Sequence, residues 1–144
     1  MSRILLVEGD PAARLARLAA LGGSPALLVP EPGEDPGRAV RRLRPSTVLI
    51  GLGDGPTALA LRPVRSLVNE PGAPTVAILD ARDAVDDPAA LLRGTGARGY
   101  LGAPPADAAA LRAFLEALAR GETPVHRAGG PRGLRALWRR WRRG

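Results

Sequence analysis

Short apolar segments recur along the chain at regular spacing, and this alternation limits the folds that the chain can adopt. Each segment is nearly continuous in apolar residues, as is typical of parallel strands that are buried on both faces of a sheet. Helix-like patterns lie between them. The sequence therefore predicts a repeated strand–helix alternation, with strands in five segments: 3–7, 25–29, 46–50, 74–79 and 97–101.

The predicted helices carry recognisable start signals. In residues 11–21 the side chains of Leu15, Leu18 and Leu21 share one side of a helix, and Asp10 precedes Pro11 as a suitable N-cap. The segments "DPGRAV" and "DDPAALLR" begin in the same acid–proline style. Pro63 is expected to bend or delay the third helix. We predict helices in five segments: 11–21, 36–43, 57–68, 86–93 and 105–120.

This alternation predicts an α/β fold with right-handed crossovers. A chain of 144 residues fits a flavodoxin-like three-layer sandwich with a five-stranded parallel sheet in the order 2-1-3-4-5. In that architecture the working edge lies at the carboxyl ends of strands 1 and 3. The segment "VLIGLGDG", 48–55, places a glycine, Gly51, at one of these ends.

Composition excludes several kinds of chemistry. The chain has no cysteine, which removes disulfides, thiolate catalysis and cysteine metal sites. No apolar run approaches the ~18 residues of a membrane span, and we expect a soluble, cytoplasmic protein. All 21 cationic side chains are arginine, and the net charge of +7 comes from residues 123–144, which contain seven arginines and no acid.

Residues 1–121 resemble the receiver domain of response regulators. "ILLVEGDP" is similar to the first receiver strand and its acidic turn, "RPSTVLIGLGDG" to the third strand and "APTVAILDARD" to the fourth. "GARGYLGAPPADAAALRAFLEALARG" resembles the fifth strand and last helix, and the spacing from Gly96 to Tyr100 and Pro104 is the most specific match. The resemblance implies a signalling module that is not an enzyme.

The phosphorylation chemistry of the family is expected to be absent. Receivers use acids after strand 1 to hold Mg²⁺; here Glu8 is retained, but Gly9 takes the second acidic position, and Asp10 could replace it only in a shifted turn. The chain thus resembles a degenerate pseudo-receiver that needs no cofactor or metal.

Three further positions depart from the family. Gly51 stands where receivers have the phosphate-accepting aspartate, and it cannot accept a phosphoryl group. Asp80 stands at the hydroxyl position, where it would repel a phosphate, and Ala103 stands where the family has lysine. No lysine elsewhere in the chain could take over.

Two alternatives remain open at this edge. In the first, Asp54 is a displaced phosphoacceptor, and the protein is an active receiver. In the second, a weak divalent cation is held by Glu8, Asp10, Asp54 and Asp80. The simpler interpretation of Asp54 is a solvated turn residue. "GLGDG" lacks a full nucleotide-binding glycine pattern, and the one histidine, His126, is expected to be an exposed linker residue.

The C-terminal segment predicts a basic amphipathic helix, 134–143, after a Gly/Pro-rich linker, 122–133. Its apolar stripe contains both tryptophans of the chain, and arginines fill the rest. A helix of this length needs a surface on which to fold: its own body, a homodimer mate, a partner protein, an anionic membrane or nucleic acid. The residues concerned are Leu134, Leu137, Trp138, Arg139, Arg140, Trp141, Arg142 and Arg143.

We expect a phosphorylation-independent adaptor that works by binding proteins. Receiver domains commonly bind partners through the face of the fourth helix, fifth strand and fifth helix, here 84–120, and Tyr100 is the candidate contact on that face. The alternatives are the active receiver with Asp54, and a peripheral membrane or nucleic-acid binder that uses its C-terminal segment. Phosphate uptake would distinguish the first alternative, and salt-sensitive binding the second.

Overall fold

The computed structural model of the protein describes residues 3–22, 26–53 and 57–128. Within these ranges the strands are β1 Ile4–Val7, β2 Leu27–Leu28, β3 Thr47–Gly51, β4 Thr75–Asp80, β5 Gly99–Gly102 and β6 Val125–His126. The helices are α1 Pro11–Ala20, α2 Pro36–Leu43, α3 Thr57–Ala60, α4 Arg62–Val68, α5 Pro88–Thr95 and α6 Ala108–Ala119. The predicted α/β class is confirmed.

The strands form one parallel sheet in the order β2-β1-β3-β4-β5-β6. The predicted order 2-1-3-4-5 is therefore confirmed, but the sheet has a sixth strand where five were expected. β6 lies inside the segment predicted as a linker, and it pairs Val125 with Tyr100 and His126 with Leu101. Its pairing covers the outer edge of β5, whose backbone groups would otherwise face solvent.

Two apolar layers cover the sheet, because successive strand residues point to opposite faces. Leu5, Val48 and Ile78 pack with residues of α2, α4 and α5 on one face. Leu6, Leu49 and Leu79 pack with residues of α1 and α6 on the other. The predicted three-layer sandwich is thus present, with its core on both sides of β1, β3 and β4.

Two helices differ from the sequence prediction. The third predicted helix is divided at Leu61 into α3 and α4, and Pro63 lies in the first turn of α4, where a missing N–H does no harm. In α1 the buried side chains are those of Ala13, Arg17 and Ala20, whereas Leu15 is 67% exposed. Of the predicted leucine stripe, Leu18 and Leu21 are partly buried against the core, and only Leu15 was wrongly placed.

Candidate functional site

The carboxyl ends of the parallel strands bring the predicted site residues to one edge of the sheet. Glu8 follows β1, Gly51 ends β3, Asp80 ends β4 and Ala103 follows β5. Glu8, Asp10 and Asp80 line a common cavity of about 30 Å³. This volume is enough for about one water molecule.

The carboxylate of Glu8 occupies the space of the missing side chain at Gly51. A Cβ atom built on Gly51 would lie 2.8 Å from Glu8 Oε1 and still closer to Oε2. The side chain of Glu8 is 2% exposed. The glycine is therefore required by a close approach within the protein, and a phosphoaccepting side chain at position 51 would displace Glu8.

Arg17 neutralises this buried carboxylate. Its Nε donates to Glu8 Oε2 at 3.3 Å, and the arginine side chain is 1% exposed. Burial lowers the pKa of the Arg17 guanidinium from its ordinary value, and the charge of Glu8 opposes that change. Its Nη2 has no hydrogen-bond partner among the described residues. The guanidinium of Arg17 thus provides a buried positive charge among the acidic residues at this edge of the sheet.

Sequence reasoning missed Arg17. The available signal was its spacing from Ala13 and Ala20, which places all three on one face of α1. An arginine on a helix face of small residues does not indicate a buried ion pair until an acid is known to lie opposite it.

The acidic turn after β1 is used for structure. Asp10 caps α1 by accepting a hydrogen bond from the Ala13 amide at 3.3 Å, while its own amide donates to Glu8 Oε1 at 3.3 Å. A side chain at Gly9 would meet nothing within 4 Å. Asp54, the alternative phosphoacceptor, lies outside the described residues.

Asp80 is held by a turn and by a buried tyrosine. Its carboxylate accepts hydrogen bonds from the amides of Arg82 at 3.2 Å and Ala84 at 2.8 Å, and from the Tyr100 hydroxyl at 2.9 Å. The same hydroxyl lies 2.9 Å from Asp83 Oδ1. Burial first, and then the hydrogen bond to Asp80, raise the pKa of Tyr100 above its ordinary value.

Tyr100 itself is 0% exposed. Its side chain contacts Asp80 at the end of β4 and Asp83 in the loop that follows, and it is not accessible to a partner. The proposed contact through this residue remains a prediction that requires the residues around it to move.

The position of the family's lysine is apolar here. Ala103 is 2% exposed and packs in the cluster that contains Leu6, Leu49 and Phe114. Within residues 3–22, 26–53 and 57–128, no group of three or more His, Asp or Glu side chains is arranged to hold a metal ion. The residues of the predicted C-terminal helix, 134–143, lie outside the described part of the chain.

Comparison with solved structures identifies the fold. The receiver domain of RcsB from Salmonella enterica serovar Typhimurium, in its apo form, matches with a TM-score of 0.62 and 14% identity over 87% of this chain and 92% of that chain. A response regulator from Desulfuromonas acetoxidans matches with a TM-score of 0.62 and 21% identity over 83% of this chain and 98% of that chain. The expected resemblance is confirmed: the protein has the fold of response-regulator receiver domains.

A pseudo-receiver is among the similar structures. The pseudo-receiver domain of the CikA protein matches with a TM-score of 0.51 and 25% identity over 83% of this chain and 98% of that chain. No protein-family model matches the chain, and no curated protein sequence matches it significantly. Among the described helices, none combines the length and apolar character needed to cross a bilayer.

Proposed function

We propose that the protein is a phosphorylation-independent pseudo-receiver, a signalling adaptor that acts by binding other proteins and catalyses no reaction. The observation that carries this proposal is the Glu8–Arg17 ion pair in the space beside Gly51. The acid that would help to hold Mg²⁺ in a phosphorylatable receiver is here engaged by an internal cation. Arg17 therefore balances the buried charge of Glu8 from within the protein.

The other three positions support the same proposal. Gly51 has no group that could be phosphorylated, and Asp80 is committed to two backbone amides and a tyrosine hydroxyl. Ala103 lies in an apolar cluster, and the chain has no lysine to bind phosphoryl oxygens. At each of these three positions, packing or hydrogen bonding within the protein takes the place of a phosphorylation group. We therefore infer that this edge of the sheet is structural.

Phosphate uptake tests the proposal. The full chain is incubated with acetyl phosphate and Mg²⁺, alongside a receiver domain that is known to be phosphorylated, and the intact masses are measured. We expect the control protein to gain one phosphoryl group and this chain to gain none. A hydroxylamine-sensitive gain of one phosphoryl group would contradict the proposal.

The variant Asp54→Asn separates the two ways in which the proposal could fail. If a phosphoryl group is found on the wild-type chain and is lost in Asp54→Asn, the protein is an active receiver with a displaced acceptor. If the group persists in Asp54→Asn, another carboxylate accepts it, and Asp10→Asn is the next variant to measure. Either result replaces the pseudo-receiver proposal.

A further inference from the structure

The segment 122–128, here called the arm, pairs with the edge of β5. The amide of Tyr100 donates to the carbonyl of Pro124 at 3.0 Å, and Val125 and His126 continue the parallel pairing. These main-chain contacts do not depend on the identity of the arm's side chains. Any extended segment of suitable reach could make them.

One side chain of the arm enters a site built by the rest of the domain. Arg127 Nε donates to Asp83 Oδ1 at 3.2 Å, and its two terminal nitrogens donate to the carbonyls of Asp86, at 3.2 Å, and Val85. Its Cζ lies 5.9 Å from the centre of the Tyr100 ring. We call this site the arginine socket: the carboxylate of Asp83, the carbonyls of Val85 and Asp86, and the ring of Tyr100.

The arginine socket is positioned by contacts outside the arm. Asp83 has a left-handed backbone conformation, φ 47°, and its carboxylate lies against Gly102, where an added Cβ would come within 3.0 Å of Asp83 Cβ and closer to the carboxylate. Its Oδ1 also lies within hydrogen-bond distance of the Tyr100 hydroxyl. With the arm in place the side chain of Asp83 is 9% exposed, so its ion pair with Arg127 is largely shielded from water.

Apart from Arg127, main-chain contacts hold the arm: it pairs with β5, and the Ala128 amide donates to Asp83 Oδ2 at 3.3 Å. Val125 is 44% exposed, and Thr123 and His126 are also exposed, so the arm buries few apolar side chains. Segments with few buried apolar contacts open locally at a small fraction of the global free energy of unfolding. The arm is therefore replaceable by a competitor that supplies the same backbone and the same guanidinium.

We propose that the β5 edge and the arginine socket together form a binding site for an extended, arginine-bearing segment of a partner protein, and that the arm occupies this site in cis. The inference deepens the proposed function, since it specifies the chemistry of the partner, and it rests on that function only in assuming that the protein works by binding. Partner binding displaces the arm from β5. A planar guanidinium fits the socket because two carbonyls and a carboxylate accept from its fork of donors, which an ammonium could not match.

The experiment measures binding of a fluorescent peptide, GETPVHRAG, the sequence of residues 121–129, to full-length variants by fluorescence anisotropy. In the wild-type chain the tethered arm competes at an effective concentration on the order of millimolar. Removing its guanidinium in Arg127→Ala weakens that competition. We expect the peptide to bind Arg127→Ala at least about tenfold more tightly than the wild-type chain, as the loss of charge-assisted hydrogen bonds predicts.

Two matched controls locate the binding. A peptide with alanine in place of its arginine should bind Arg127→Ala at least about tenfold more weakly. The double variant Arg127→Ala/Asp83→Asn should lose the increase in peptide affinity that Arg127→Ala shows. Asparagine is chosen because it tolerates the backbone conformation of residue 83. Arg127→Gln, which keeps the side-chain length, serves as a second variant, and circular dichroism confirms that each variant is folded.

Three results would overturn the inference. The first is equal peptide affinity for wild type, Arg127→Ala and Arg127→Gln, which would make the arm structural only. The second is equal affinity of the arginine and alanine peptides. The third is a concentration-dependent dimer of the wild-type chain that the peptide dissociates, which would assign the site to arm exchange between two copies. Failure of peptide binding without phosphate uptake would refute this inference and leave the pseudo-receiver proposal intact.

Discussion

The Glu8–Arg17 pair places two opposite charges in the interior beside Gly51. Both side chains are at most 2% exposed, so each has lost nearly all contact with water. A buried pair of this kind adds little net stability, because dehydration of the charges offsets their attraction. Removing one partner is different, because the remaining charge stays buried without compensation.

We predict that Arg17→Met lowers the free energy of unfolding by about 3–5 kcal/mol, because it leaves the Glu8 carboxylate buried and unpaired. Urea denaturation followed by circular dichroism measures the change. Arg41→Met is the matched control: it breaks the Arg41–Glu70 pair, whose side chains are 62% and 34% exposed, and should cost no more than about 1 kcal/mol. Equal costs for the two variants would refute the structural role of Arg17.

A second residue-scale prediction concerns the glycine itself. Gly51→Ala should destabilise the protein by about 1–3 kcal/mol, because the new methyl group overlaps the carboxylate of Glu8. Gly9→Ala, in the same edge, should change stability by less than about 0.5 kcal/mol, because nothing lies within 4 Å of the added Cβ. Thermal or urea unfolding of both variants checks the pair, and a Gly51→Ala variant as stable as Gly9→Ala would contradict the close approach.

At the scale of elements, aspartates begin four of the helices. Asp10, Asp35, Asp87 and Asp107 each accept a hydrogen bond from the backbone amide three residues later, at the start of α1, α2, α5 and α6. A proline follows the cap in α1, α2 and α5. These caps satisfy amides that the helix cannot, and they fix where each helix starts after its strand.

The cap of α6 gives a prediction at this scale. Asp107 accepts from the Ala110 amide at 3.0 Å, so Asp107→Ala should lower the free energy of unfolding by about 1 kcal/mol. Asp107→Asn should retain most of that stability, because its amide oxygen can accept the same hydrogen bond. Urea unfolding of the two variants distinguishes a cap from a charge effect: equal losses would show that the negative charge, and not the hydrogen bond, is what stabilises α6.

Elements of this kind could be predicted from the sequence, because they depend on local patterns. The caps at Asp10 and before Pro36 and Pro88 mark helix starts, and buried parallel strands are continuous apolar runs. β6 could not be predicted in this way, because two exposed residues become a strand only where an open sheet edge receives them. Arg17 was hidden for a similar reason: its burial depends on Glu8, which approaches only after β1 and α1 have packed.

At the scale of the whole molecule, Tyr100 connects three parts of the fold. Its hydroxyl lies within hydrogen-bond distance of Asp80 at the end of β4 and of Asp83 in the loop that follows. Its amide binds the arm, and its ring lies beneath Arg127. A hydroxyl has a single proton to donate, so ionisation of this tyrosine would place a third negative charge between two carboxylates. Native packing therefore requires the neutral phenol.

This requirement predicts how stability changes with alkaline pH. Burial and the two carboxylates raise the pKa of Tyr100 in the folded protein, whereas in the unfolded chain it ionises near pH 10. At high pH the folded state therefore keeps a proton on Tyr100 that the unfolded state releases. The contribution of this protonated tyrosine to the free energy of unfolding is complete below about pH 10 and is lost as the pH rises above that value. The free energy of unfolding should fall more steeply above pH 10 in the wild type than in Tyr100→Phe.

The composition makes this test unusually direct. The chain contains one tyrosine, no cysteine and no lysine, so Tyr100 is the one side chain expected to titrate between about pH 9 and pH 11. Urea unfolding across this range gives the change of the free energy of unfolding with pH. Ultraviolet absorbance reports the tyrosinate formed in the same samples. We expect tyrosinate to appear together with the loss of native circular dichroism, because the phenol ionises only when the network opens. If tyrosinate appeared with a midpoint near pH 10 in a protein that remained folded, Tyr100 would be accessible, and the carboxylates of Asp80 and Asp83 would not hold its proton.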